Sequence, residues 1–207
     1  ARVPDAPEHF LMNASDFAWD EITASNLLKL DLSGKVLSDT DRKPRPAGLN
    51  FHSAIQREMP HIDCTIHLHP MAGVVVSAME EGLMFFDQGS CSVYGQVTYH
   101  DFEGIAQEAD EAPRILADLG DKYTMIMRNH GFLTVGATAG EAFMNMYYAI
   151  RLCEVAVQAE SSGLELEPAS PALWKMSCKQ YESFSPGKYE WPALKRRCDR
   201  ADPSYKN

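Results

Sequence analysis

The chain has 207 residues, 45% of them apolar, and a net charge of −10 at neutral pH. That length and apolar content fit one domain with a substantial core. No run of about 18 apolar residues occurs, which excludes a membrane-spanning helix. The acidic balance disfavours non-specific binding to nucleic acid or to an anionic membrane surface.

Ala1-Arg2-Val3-Pro4-Asp5 lacks the apolar core of a signal peptide and reads as strand, so further residues are expected upstream of Ala1. Leu28 to Leu32 and Lys35 to Leu37 alternate apolar and polar residues around Ser33-Gly34, as a hairpin would. The polar, proline-bearing stretch from Asp39 to Pro46 is a loop. From Ala47 to Met59, Leu49, Phe51, Ala54, Ile55 and Met59 recur at helical spacing, and Pro60 ends that helix. Ile62 to His67 reads as a buried strand. Pro70 suits the first turn of a helix to about Glu81, with Gly82 as its stop.

Leu83 to Phe86 and Gln96 to Tyr99 read as strands, and Asp110 to Leu119 as a helix closed by Gly120. Tyr123 to Met127 and Phe132 to Val135 are apolar strands joined by the polar tight connection Arg128-Asn129-His130-Gly131. Thr138-Ala139-Gly140-Glu141 fits a capping box opening a helix to about Ala159, which ends near Gly163. Beyond Pro168 the chain reads as irregular, rich in proline and in aromatics such as Trp174, Tyr181 and Trp191. Residues 1–165 thus form one α/β domain built on a mixed sheet. Residues 166–207 form an extension that packs on this domain or on a neighbouring subunit.

The cysteines Cys64, Cys91, Cys153, Cys178 and Cys198 are odd in number and form no C-x-x-C pair. Reduced thiols and a cytoplasmic location are expected. Cys64 lies in an apolar run and reads as a core residue. Lys195-Arg196-Arg197 is a short solvated cluster.

His67 and His69 are two residues apart, a spacing that puts both side chains on one face of a strand. Catalytic zinc takes three protein ligands and keeps an open position. His130, presented at a sharp strand end beside Gly131, is the best third candidate. His9, His61 and His100 read as surface or hydrogen-bonded residues. His52 either points into the site or makes a structural hydrogen bond.

His67-x-His69, the gap to Arg128-Asn129-His130-Gly131, and the following Thr134-Val135-Gly136 and Glu141-Ala142-Phe143 resemble the class II aldolase/adducin head domain family. Pro46-Ala47-Gly48 before His52-Ser53-Ala54-Ile55 extends the match, which covers about residues 8–160. The resemblance implies a three-layer α/β/α sandwich with a central mixed, largely antiparallel sheet, and a cyclic homotetramer with sites between subunits. It makes His67, His69 and His130 the ligands of a divalent metal, zinc first, with manganese or cobalt as alternatives. Adducin heads lack these histidines, so an enzyme is expected.

Two departures narrow the chemistry. The sugar-phosphate aldolases carry an acid nineteen residues before the first metal histidine, and that position here is Gly48. The phosphate-binding serines before it are Pro46 and Ala47, and the anion-binding Thr-Gly corresponds to Ala14-Ser15. The family's glycine-rich phosphate loop would lie upstream of Ala1. A small, non-phosphorylated oxo- or hydroxy-acid is therefore the expected substrate.

A metal polarising its carbonyl would serve aldol cleavage or decarboxylation alike, because in both negative charge develops on oxygen. His52 and Tyr94 are the candidate catalytic residues, with His100 or a water as other proton donors. Arg128, Asn129 and Gly48 are the candidate substrate-binding positions. Arg128 could instead pair with a neighbouring acid. A non-catalytic adducin-like interaction domain is the reading from a different class.

Overall fold

The computed structural model describes residues 1–105 and 110–207. Three short strands, β1 (Arg2–Val3), β2 (Ala6–Met12) and β3 (Leu28–Asp31), form an antiparallel sheet in that order. In β3 the side chains alternate, with Leu28 and Leu30 buried and Lys29 and Asp31 only partly so. Phe10 and Ala14 complete that small core.

Helix α1 (Pro46–Glu58) leads to β4 (Cys64–Leu68) and then α2 (Met71–Ser77). Next come β5 (Val97–His100), α3 (Ala112–Leu119), β6 (Thr124–Met127), β7 (Gly131–Gly136) and the long α4 (Ala139–Ser161). The second sheet has the order β4-β7-β6-β5. Its β4/β7 and β7/β6 pairs are antiparallel and its β6/β5 pair is parallel.

The pleat of this sheet makes the sandwich, because successive side chains leave opposite faces. Met125 and Met127 of β6, with Leu133 and Val135 of β7, pack with Phe51 and Ile55 of α1 and Ile115 and Leu119 of α3. Ile126 and Phe132 leave the other face and meet Val76 of α2 with Met146, Leu152 and Cys153 of α4. All of β6 and β7 is buried, so these strands are continuous in apolar character, as a sheet covered on both faces requires. The three-layer α/β/α architecture with a mixed, largely antiparallel sheet is the one expected. Cys64 is 8% exposed and belongs to the core.

Several elements differ from expectation, each for a physical reason. Lys35 to Leu37 does turn back on β3 through the Asp31 amide to the Lys35 carbonyl and the Leu37 amide to the Lys29 carbonyl, but it pairs through one bridge only, Leu30 to Val36, too short to count as a strand. Helix α2 stops at Ser77, whose hydroxyl donates back to the Val74 carbonyl, and the chain continues through turns to Gly82 at φ +70°. Leu83 to Phe86 is no strand. Its Leu83 amide donates to the Tyr99 hydroxyl, and the segment lies across the α2/α4 core.

The C-terminal segment is helical, in α5 (Pro171–Tyr181) and α6 (Glu190–Ala201). Pro171 stands at the first position of α5 behind the Ser170 cap, and Pro192 lies in the first turn of α6. There the missing amide is no loss, so proline starts a helix instead of breaking one. Trp174 is buried, the Cys178 thiol donates to the Tyr94 carbonyl at 3.2 Å, and Trp191 rests on Gly140 and Phe143 of α4. Among the described residues no helix is long and apolar enough to cross a membrane.

Candidate metal centre

The three histidines meet at one end of the larger sheet. His67 is the fourth residue of β4, His69 follows its last residue, and His130 sits in the three-residue connection from β6 to β7. One ring nitrogen from each lies within 4.8 Å of the other two. The ring centroids are 4.6 to 4.8 Å apart, and the Nε2 atoms of His67 and His69 are separated by 2.9 Å.

Local backbone chemistry builds this cluster. Asn129 adopts a left-handed conformation, φ +54°, which asparagine tolerates better than other residues with a Cβ. Its amide donates to the Ser77 carbonyl and the His130 amide to the Met127 carbonyl, tying the turn to α2 and to β6. At Gly131 an added Cβ would stand 2.6 Å from His69 Cδ2 and 2.6 Å from the Leu68 carbonyl. Glycine at this position lets β7 pass close enough for the three histidines to converge.

The donor set fits a divalent transition metal. The His67 Nδ1–H donates to the Phe132 carbonyl at 2.7 Å, which fixes the tautomer and leaves the Nε2 lone pair facing the cluster. Burial, then the charges of His130 and His69, lower the His67 pKa to about 4. Burial also lowers that of His130, with His69 and His100 adding to it. Both imidazoles are thus neutral at pH 7, the state that binds metal.

His52 lies one helical turn beyond Gly48 on α1, and its imidazole packs at 4.6 Å on the Phe51 ring. Burial, then the nearby His67, hold its pKa down to about 3. His52 and His67 both line a cavity of about 430 Å³ beside β4. A Cβ on Gly48 would touch Met12 Cε at 3.4 Å and His52 Cδ2 at 3.8 Å, so the position adjoins His52.

The other candidates are placed differently. Tyr94 packs its ring against Phe85 at 5.0 Å and Trp174 at 6.4 Å, under α5, and a catalytic role finds no support in that placement. Arg128 donates from Nη1 to the Met79 carbonyl at 2.5 Å and stacks on the Tyr99 ring at 4.3 Å. Its guanidinium is committed to anchoring the chain after α2. Asn129 is exposed on the same turn as His130.

A second group was not singled out from the sequence. His100, 2% exposed, lies between Asp118 Oδ2 at 2.7 Å and Glu111 Oε1 at 3.3 Å, and Glu103 completes a possible ligand set. Glu103 is held by Arg114. The acids lie three, eleven and eighteen residues from His100, and no local spacing announces them.

The family model for the Class II Aldolase and Adducin N-terminal domain matches residues 1–157. A Caulobacter vibrioides protein assigned to aldolase class 2 is 39% identical, covering 99% of this chain and 81% of its own length. Alpha-adducin of Rattus norvegicus is 37% identical over 78% of this chain, which spans only 22% of that protein. A crystal structure of an aldolase II superfamily protein from Pseudomonas syringae superposes with a TM-score of 0.92 at 37% identity, over 100% of this chain and 84% of that one. L-fuculose 1-phosphate aldolase from Glaciozyma antarctica PI12 shares the fold, with a TM-score of 0.87 at 24% identity over 100% of this chain and 81% of that one.

Proposed function

Because the chain belongs to the class II aldolase and adducin N-terminal domain family, we propose that it is a divalent-metal-dependent carbon–carbon lyase of the aldolase type, acting on a small, non-phosphorylated oxo- or hydroxy-acid. The observation that carries this reading is the convergence of His67, His69 and His130 within 4.8 Å, two of them with pKa values lowered by burial. Zinc suits three neutral imidazoles with an open coordination position, and manganese or cobalt are the alternatives.

When bound, such an ion supplies Lewis acidity at a substrate carbonyl. The remaining work falls to the chain. Phe132 orients His67 through its carbonyl. Gly48 stands where the sugar-phosphate aldolases of the family carry an acid and supplies no proton-transferring group, and the neighbouring His52, neutral at pH 7, serves as a proton acceptor or relay. Asn129, exposed beside His130, would hydrogen-bond a substrate oxygen. Pro46 and Ala47 supply no hydroxyl for a phosphate, which supports an unphosphorylated substrate.

Decarboxylation on the same centre is the second reading, since charge develops on the same oxygen. The likeness to alpha-adducin favours a third, a non-catalytic interaction domain. A homotetramer follows the family resemblance, and five free cysteines support a cytoplasmic location.

Metal analysis of protein purified without chelator tests the enzyme readings together, with one ion per chain expected. Absence of stoichiometric metal, with none taken up on addition, leaves the interaction domain. A screen of candidate acids then separates release of an aldehyde from release of carbon dioxide.

A further inference from the structure

The sheet has two ends with different chemistry. The histidines gather where β4 and β6 finish and β7 begins. A separate cavity of about 370 Å³ lies at the opposite end, where β5 and β6 begin and β7 finishes, and part of the segment around α5 closes it.

Its walls carry several acceptor oxygens that are free to take a ligand's N–H bonds. The Gln96 Oε1 is buried without a hydrogen-bond partner. Asn145 spends its amide on the Val135 carbonyl at 2.9 Å, and its Oδ1 accepts nothing among the described residues. Glu141 takes the Ala137 amide on one carboxylate oxygen, and its other oxygen has no partner among the described residues. Glu182 adds a second carboxylate from the end of α5, and the rings of Tyr123 and Tyr181 flank the space. Among the described residues His61 is the only basic side chain that lines it, with no lysine or arginine.

Two carboxylates, two amide oxygens and two tyrosine rings, against the single imidazole of His61, match the recognition of an organic ammonium ion. Carboxylates and amide oxygens accept its N–H bonds, and the faces of aromatic rings attract its charge. We propose that this cavity is an accessory binding site for a small protonated amine, separate from the metal centre and roofed by the C-terminal segment.

Titration calorimetry with n-butylammonium, n-butanol and butyrate on the metal-bound protein tests it. Butylammonium is expected to bind at least tenfold more tightly than butanol, with butyrate not binding. Glu182→Gln and Tyr123→Leu, both at exposed positions on different elements, should each weaken butylammonium at least threefold. NMR shifts on binding should fall on the Gln96 and Asn145 side-chain amides. Equal binding of butanol would reduce the site to a plain apolar cavity and overturn the proposal. So would unchanged affinity in both variants, no binding at tens of millimolar, or shifts centred on His67, His69 and His130.

Discussion

The Nδ1 of His67 lies 2.7 Å from the carbonyl oxygen of Phe132, its near neighbour across the β4/β7 ladder, so the sheet itself sets the direction in which this imidazole points. A main-chain acceptor cannot be mutated away. The orientation of His67 is therefore tied to the register of β4 on β7.

Replacing His130 by alanine should abolish stoichiometric metal binding while leaving the fold intact. Its side chain is only partly buried and its turn is held by the backbone bonds of Asn129 and His130. Metal analysis beside circular dichroism checks this. Full metal occupancy in the variant would sink the three-histidine assignment.

Gly131→Ala should weaken metal binding at least tenfold, although the substituted residue is not itself a ligand. The new methyl meets His69 Cδ2 and the Leu68 carbonyl at 2.6 Å, so β7 or His69 must move. Overpacking of this kind costs about 1–3 kcal/mol. Competition with a chelator of known affinity measures the first effect and urea denaturation the second.

The metal-free protein should lose stability as pH falls from 6.5 towards 3. His52 protonates near 6.5 when unfolded but only near 3 when folded, and His67 behaves similarly with a folded value of about 4. Below pH 6.5 the unfolded chain therefore binds protons that the folded chain does not. Stability is fully present above 6.5 and declines below it. Between pH 7 and pH 5 the loss is about 1–2 kcal/mol for each such histidine. Urea midpoints at the two pH values give the slope, and His52→Gln should flatten it. An unchanged slope in that variant would contradict the burial of His52.

Arg128→Ala should act on stability first. The substitution removes a charged hydrogen bond to the Met79 carbonyl and the stack on Tyr99, together about 2 kcal/mol. Thermal unfolding should register that loss. A variant of unchanged stability with raised KM for a carboxylate substrate would restore Arg128 as a substrate ligand.

Much of this arrangement is legible in the chain. Pro46, Pro60, Thr138 and Gly163 punctuate α1 and α4, and apolar runs mark β4, β6 and β7, because caps and burial act locally. His67, His69 and His130 are legible through their spacing and through Gly131. Leu83 to Phe86 has strand composition but no ladder partner, which composition does not reveal. Pro171 and Pro192 read as helix breakers until their first-turn positions are known. Tyr94 and Arg128 have the chemistry of a site, yet their contacts with Trp174 and Met79 come from distant parts of the chain.

The connection between β6 and β7 is only three residues long, whereas β4 reaches its partner β7 across more than sixty. Local pairings close with little entropy cost, so the β6/β7 hairpin is expected to form before β4 docks. His130 and the Phe132 carbonyl would then stand waiting for His67 and His69 to arrive with the last strand. A metal ion present during refolding would favour that late step and slow its reversal. Pulsed hydrogen exchange should find β6 and β7 protected ahead of β4, and added zinc should lengthen the lifetime of the native state more than it speeds the first collapse.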